Sequence, residues 1–369
     1  MNKKKVPVIV SDIDGVLKLQ NSAIPQAING LKVIRKPLNE IDSQNFPDDN
    51  IKLPFYLLTN RGNITTQSQI IQVNEAFNLN SKEEMLEPKD VILNYAALVD
   101  KLKDFKDKLI LLVTGQADEQ GIRDGTEIIQ EAGYTNYITV EEYITITPFC
   151  VQQSRRTKEH IQKKSQIVKD RLGLKDDEIG QPLQCHGIFI MANPKQWEEA
   201  IQIILDLLST ENGKIANQIP EIGPEKHIPI FCSYGDLLVK SPYLLPRIIC
   251  GGFVMALKAV YKGIYKRELD INMYGKPEIH HFEFAQEHGK QYVDENHEIS
   301  QYYMIGDNPH TDIRGANNIG WVSILVRTGV FQGDENDPIY PARYVVDDFT
   351  EAIKLIFQLE NIQYLWKNI

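Results

Sequence analysis

Val8-Ile9-Val10-Ser11-Asp12-Ile13-Asp14-Gly15-Val16-Leu17 is the stretch from which the fold is read. An apolar run ends in two carboxylates two positions apart. Side chains alternate along a strand, so Asp12 and Asp14 project to one side while Ile13 points to the other. Gly15 lets the backbone turn closely behind them. In parallel α/β sheets the carboxyl ends of the strands border the ligand crevice, which makes this stretch a candidate site as well as a turn. A calcium loop is excluded, because the EF-hand pattern needs a third oxygen ligand before the glycine and a Glu after it, and neither is present.

Outward from this stretch, short apolar runs at 6–10, 55–58, 109–113, 188–191, 302–305 and 322–326 stop at small or polar residues and give way to helical spacing. Runs that are apolar at successive positions suit strands buried on both faces. Helices are expected at 65–77, 96–105, 126–132, 197–208, 246–265, 278–287 and 350–359, with Pro277 in a first turn and Gly320 closing the helix before it. The alternation predicts an α/β fold, a Rossmann-like core with a mainly parallel sheet. The proline-rich stretch 38–53 reads as a surface loop. The polar stretch 152–181 reads as an exposed helix plus loop, and its basic start, Arg155, Arg156 and Lys158, reads as a solvated helix face.

Two further strand ends carry chemistry. The second apolar run stops at Thr59-Asn60-Arg61-Gly62, where a hydroxyl and an amide can donate to an anion. The run 302–305 leads into Gly306-Asp307-Asn308-Pro309-His310-Thr311-Asp312, with Asp307 at the strand end and Asp312 in the first turn after it. If Asp12, Asp14, Asp307 and Asp312 converge, their repulsion forces protonation of some of them unless a cation joins them. Hard oxygen ligands favour Mg²⁺ over zinc or copper. His310 beside them reads as a helix-end or surface residue.

A cation-bound carboxylate pair suits attack on phosphorus: Asp12 as nucleophile, Asp14 protonating the leaving oxygen and later taking a proton from water. A dianionic substrate repels a carboxylate, so a cationic side chain is expected nearby. Lys276, in Tyr274-Gly275-Lys276-Pro277 ahead of a helix, is the best-placed one.

With 369 residues, two or three domains are expected. Forty basic against fifty acidic side chains give a net charge of −10, which opposes binding to nucleic acid or to an anionic membrane. No apolar run is long enough to span a bilayer, and the short basic start does not make a signal peptide. The four cysteines, Cys150, Cys185, Cys232 and Cys250, are widely spaced and read as buried thiols in a reducing compartment. No internal repeat is present.

Taken together, Asp12-Ile13-Asp14-Gly15-Val16, Leu58-Thr59-Asn60, Gly275-Lys276-Pro277 and Gly306-Asp307-Asn308-Pro309-His310-Thr311-Asp312 resemble the four signature motifs of the haloacid dehalogenase-like hydrolase superfamily. The resemblance implies a Rossmann-like core with a mobile cap. Roughly 45 positions separate Asp14 from Thr59 while more than 200 separate Thr59 from Lys276, so a sizeable cap falls in the second interval. That layout resembles class IIA, the NagD and p-nitrophenyl-phosphatase-like branch with a C2-type α/β cap. Asp236-Leu237-Leu238, Gly251-Gly252-Phe253 and Thr328-Gly329-Val330 look most like the cat-eye-syndrome-region hydrolase subgroup. The domain limits expected are 1–92 for the first part of the core, 93–245 for the inserted cap and 246–369 for the second part of the core.

The resemblance assigns Asp12 as nucleophile and Asp14 as acid and base. It makes Thr59, Asn60 and Lys276 the phosphate-binding set, with Lys276 also balancing charge. Mg²⁺ would be held by Asp307, the Asp12 carboxylate and the Asp14 carbonyl, with Asp312, Gly15 and Asn308 in support. The implied activity is Mg²⁺-dependent hydrolysis of a small phosphorylated metabolite through an aspartyl phosphate. The alternative is a weak or inactive scaffold on the same fold. A dehalogenase would leave Asp14 and the metal without a task. Oligomeric state stays open, a homo-oligomer included. The start of the chain favours the cytoplasm, and the subgroup suggests mitochondria as the alternative.

Overall fold

Lys4–Ser11 is buried from Val6 onward and lies in the interior of a six-stranded parallel sheet. The computed structural model describes residues 3–62, 64–115, 126–152, 156–239, 244–245 and 247–366. It divides into two compact units, one of Met1–Arg61, Thr65–Asn94 and Gly275–Ile369, the other of Gly62–Ile64 and Tyr95–Tyr274.

In the first unit the strands run, in spatial order, Tyr344–Val346, Val322–Val326, His297–Gly306, Lys4–Ser11, Phe55–Leu58 and Val91–Ile92. Every neighbouring pair is parallel. Counted along the chain, this is the doubly wound order 3-2-1-4-5-6, whose direction reverses between Lys4–Ser11 and His297–Gly306. Register sets Ile9 beside Tyr303 and Ser11 beside Ile305, and it slips between Val6 and Val8. Pro7, which has no N–H to give the ladder, sits at that slip. Val8, Ile9, Val10, Leu57, Leu58, Met304, Ile305, Ile324 and Leu325 are fully buried, as successive apolar positions in a sheet covered on both faces should be. Helix Pro25–Ile34 packs on Phe349–Leu359, where the Gly30 N–H donates to the Thr350 hydroxyl at 2.9 Å.

The second unit has its own five-stranded parallel sheet, in the order Asn272–Met273, Ile230–Cys232, Ile188–Ile190, Ile110–Val113, Tyr137–Thr139. Its apolar core includes Leu111, Ile188, Ile190, Ile204 and Ile230. No helix among the described residues is long and apolar enough to cross a membrane.

The helix expected over 246–265 forms over Cys250–Tyr265; Pro246 lies outside the described residues. The segment 246–274, expected to open the second part of the core domain, belongs to the second unit instead. The reason is packing: Phe253, Val254, Leu257, Tyr261 and Tyr265 on that helix join the same core as Ile188 and Ile230, and Asn272–Met273 pairs with Phe231 and Cys232. The stretch 38–53 is not a surface loop throughout. It forms a helical turn at Leu38–Ile41, buries Leu38, Ile41, Phe46 and Leu53, and is tied by Asp42, which accepts from the backbone N–H groups of Gln44, Asn45 and Gln363.

In the stretch 152–181 the helix forms over Lys158–Leu172. Arg155 lies outside the described residues. Arg156 does not face solvent: its side chain is 10% exposed and its guanidinium bridges Glu141 and Glu199, with Nε 2.9 Å from Glu141 Oε1 and Nη1 2.8 Å from Glu199 Oε1. Cys185, Cys232 and Cys250 are buried free thiols and Cys150 is half-buried.

Candidate active site

The reversal in strand order decides where the acidic groups meet. Asp12 follows one central strand and Asp307 follows its parallel neighbour, and the Asp12 N–H donates to the Ile305 carbonyl at 2.9 Å, so both leave the sheet at the same end. A carboxylate oxygen from each of Asp12, Asp307 and Asp312 lies within 4.8 Å of the others. Asp307 and Asp312 are buried, and Asp12 is 13% exposed.

Lys276 supplies the counter-charge. Its ammonium stands 3.0 Å from Asp12 Oδ1 and 2.6 Å from Asp312 Oδ1, and it donates to the Leu58 carbonyl at 2.8 Å. The ammonium is thus ion-paired with two carboxylates and hydrogen-bonded to one carbonyl. Burial by itself would depress this ammonium, but Asp12 and Asp312 outweigh that cost and hold its pKa above the ordinary value. Burial raises Asp12 well above the usual carboxylate range, Lys276 opposes the rise, and the charges of Asp312 and Asp307 add to it. Asp307 is pushed up to about 7 by burial and then by Asp312, with the Val330 N–H and Lys276 opposing. Three carboxylates against one ammonium leave an excess of negative charge, and all the donors are hard oxygens. A divalent cation such as Mg²⁺ fits this set.

The backbone around Asp307 is drawn in tightly. Val330 N–H donates to Asp307 Oδ2 at 2.6 Å, and the Thr328 hydroxyl donates to the Gly15 carbonyl at 2.5 Å. A Cβ on Gly15 would lie 2.3 Å from Asp307 Oδ2, and one on Gly329 2.0 Å from the same atom. Gly15 also has φ +91, so both its conformation and the space beside it require glycine. Asn308 shapes the turn: its N–H donates to Asp312 Oδ2 at 3.1 Å and its side-chain oxygen accepts from the His310 N–H at 3.0 Å. His310 is exposed, as expected.

Thr59 is buried, and its hydroxyl oxygen accepts from the Arg61 N–H at 3.2 Å, which leaves the hydroxyl proton to donate. Asn60, expected among the phosphate-binding groups, also makes a structural pairing. Its side-chain oxygen accepts from the Lys276 N–H at 2.7 Å and its amide donates to the Lys276 carbonyl at 2.8 Å, so it clamps the lysine segment.

Asp14 departs from the expected convergence of four carboxylates. It is not in the cluster: its side chain is 49% exposed and pairs with Lys18 at 3.4 Å. Lys18, which the sequence reading did not single out, is 1% exposed. His281 was missed as well. It is buried, neither ring nitrogen has a hydrogen-bond partner, and burial followed by the Lys276 charge lowers its pKa to about 3. Only its place five residues after Lys276, on a helix whose buried face it shares with Phe282 and Ala285, could have marked it.

Comparison with known proteins agrees with this geometry. The family described as haloacid dehalogenase-like hydrolase matches residues 9–127, and the family described as HAD-hydrolase-like matches residues 273–352. A Schizosaccharomyces pombe cardiolipin synthase (CMP-forming) / mitochondrial hydrolase fusion protein is 29% identical over 93% of this chain, which spans 51% of that protein's length. The Saccharomyces cerevisiae mitochondrial hydrolase YKR070W is 26% identical over 94% of both chains. In fold, a p-nitrophenyl phosphatase from Archaeoglobus fulgidus superposes with a TM-score of 0.57 at 13% identity, over 95% of this chain and 99% of that one. The paired acidic strand ends, the lysine held by Asp12 and Asp312 and both family matches lead to one conclusion: the chain belongs to the haloacid dehalogenase-like hydrolase superfamily.

Proposed function

We propose that the protein is a Mg²⁺-dependent phosphatase that hydrolyses a small phosphomonoester through an aspartyl phosphate on Asp12. The observation that carries the reading is the set Asp12, Asp307, Asp312 and Lys276, a buried cationic side chain held against a carboxylate cluster with the half-exposed Asp14 two residues from Asp12. Relatives named as hydrolases and a neighbour in fold named as a p-nitrophenyl phosphatase support it.

In the first step an Asp12 carboxylate oxygen bonds to phosphorus as the bond from phosphorus to the leaving oxygen breaks. The electron pair of that bond goes to the leaving oxygen, which takes the proton of the Asp14 carboxyl. In the second, water attacks phosphorus, Asp14 takes its proton, and the bond from phosphorus to Asp12 breaks to release inorganic phosphate. Thr59 O–H donates to a phosphoryl oxygen, and Lys276, 3.0 Å from Asp12 Oδ1, favours the ionised form of Asp12 and aims it. Asp12, Asp307 and the Asp14 carbonyl would hold Mg²⁺, which when bound offsets the negative charge of the phosphoryl group.

The relatives named mitochondrial favour the mitochondrion over the cytoplasm as the compartment. A net charge of −10 argues for a small phosphorylated metabolite over a nucleic acid.

The test is release of inorganic phosphate from a panel of small phosphomonoesters, p-nitrophenyl phosphate among them, with and without Mg²⁺. Turnover should require Mg²⁺ and fall at least about a thousandfold in Asp12→Asn. Turnover kept by that variant would overturn Asp12 as nucleophile. No turnover on any substrate, together with no Mg²⁺ binding by calorimetry, would favour the scaffold reading.

A further inference from the structure

Among the described residues Lys18 joins Lys276 as a buried lysine of the first unit, and the mechanism above gives it no task. Burying an ammonium is costly unless its protons are met. Lys18 has two compensating partners, the Gln20 carbonyl at 2.9 Å and Asp14 Oδ1 at 3.4 Å. The local backbone is folded to make this pairing. Gly15 N–H donates to the Lys18 carbonyl at 2.8 Å, and Leu17 and Lys18 N–H both donate to the Ile13 carbonyl. Lys18–Leu19 then pairs with Ser22–Ala23 in a hairpin whose turn holds Gln20 at φ +55, a left-handed conformation that a residue other than glycine adopts at some cost. That turn presents the Gln20 carbonyl to the ammonium.

The Asp14 carboxylate stands outside the cluster, and Lys276 is ion-paired with Asp12 and Asp312, so the cationic side chain that Asp14 meets is Lys18. We infer that Lys18 is a positioning residue for Asp14, orienting its carboxyl toward the leaving oxygen and meeting the negative charge that develops as its proton departs. This rests on Asp14 being the proton donor in the reading above. The bonds that form and break are those given there; Lys18 keeps its own proton throughout and acts only through Asp14.

The inference separates from a purely structural role by leaving group. A p-nitrophenolate leaves without much help from an acid, whereas an alkoxide needs the proton, so a fault in the acid shows selectively on alkyl phosphates. In Lys18→Met, kcat on glycerol 2-phosphate should fall by about thirtyfold or more, kcat on p-nitrophenyl phosphate by less than about threefold, and KM for either should stay within about twofold. Lys18→Arg should recover most of the lost kcat, and Lys18→Gln serves in place of Lys18→Met should that variant fail to fold. In an Asp14→Asn background, Lys18→Met should cause no further loss on glycerol 2-phosphate, because its effect is routed through Asp14.

Equal losses on both substrates, additive losses in the double variant, or no loss in Lys18→Met would overturn the inference. Failure of the underlying reading looks different: Asp14→Asn would keep full activity on glycerol 2-phosphate, or the wild-type protein would turn over neither substrate, and the inference would fall with it.

Discussion

Asn60 and Lys276 are 216 positions apart in the chain and exchange a reciprocal pair of hydrogen bonds, the Lys276 N–H to the Asn60 side-chain oxygen and the Asn60 amide to the Lys276 carbonyl. A single side chain therefore ties the end of Phe55–Leu58 to the segment that carries the ammonium. Asn60→Ala leaves a backbone donor and acceptor without these partners, at about 1–3 kcal/mol per buried group. Its melting temperature should fall and kcat should drop more than KM changes, because Lys276 loses its aim while Thr59 stays in place. Asn60→Asp keeps the acceptor and loses the donor, so both effects should lie between those of alanine and the wild type.

Two glycines in left-handed conformations give a controlled comparison. Gly15 has φ +91 and no room for a Cβ beside Asp307, whereas Gly320 has φ +80 and nothing within 4 Å of the Cβ position. Gly320→Ala should cost about 1–2 kcal/mol of stability through backbone conformation alone and leave Mg²⁺ affinity unchanged. Gly15→Ala must also displace the Asp307 carboxylate. Calorimetric titration should therefore show weaker Mg²⁺ binding in Gly15→Ala only.

Asp307 makes the metal-free protein sensitive to pH. Its folded-state pKa of about 7 lies above the ordinary carboxylate value, so between pH 4 and 7 the folded state holds a proton that the unfolded state has released. Its contribution is therefore favourable at low pH and is lost as pH rises through about 7, by roughly 2–4 kcal/mol for a shift of this size. His281 works in the opposite sense: its lowered folded pKa gives stability above about 6.5 that is lost as pH falls toward 3. The difference in unfolding free energy between wild type and Asp307→Asn in EDTA isolates the first effect and should change across pH 4 to 7. Added Mg²⁺ should raise the melting temperature more at pH 7.5 than at pH 5.

In the second unit, Arg156 holds Glu141 and Glu199 together in a half-buried ion-pair network. Removing the guanidinium leaves two carboxylates facing each other, so Arg156→Ala should destabilise this unit by about 2–4 kcal/mol. The triple variant Arg156→Ala/Glu141→Gln/Glu199→Gln, which leaves no unpaired charge in the network, should lose less. Thermal unfolding of the three proteins checks the order.

The sequence was most informative where chemistry sits at the ends of strands. Asp12 and Asp307 were legible because apolar runs ending in acids have few uses, and the sheet order brings those two ends side by side. What could not be read was which partner a polar group would choose. Arg156 looked like part of a solvated face because Glu141 and Glu199 lie on other elements, and nothing local signals the pairing. A buried Lys18 is written like an exposed one, and only its place in a tight hairpin after Asp14 distinguishes it. The pairing of the Asn60 side chain with the Lys276 backbone joins positions 216 apart, and nothing local in the sequence signals it. The helix at 250–265 was recognisable as a helix, but its apolar stripe does not say which of two cores it will join.

The pairing of Lys4–Ser11 with His297–Gly306 has a consequence for how the polypeptide is made. During synthesis one edge of Lys4–Ser11 can pair early with Phe55–Leu58, but the other must wait until His297–Gly306 has left the ribosome, while the intervening sheet draws its strands from one continuous stretch and can assemble meanwhile. The nascent chain thus carries an unpaired apolar edge until the whole intervening unit has been made, which marks chaperone dependence as a cost of building one cradle from segments far apart in sequence.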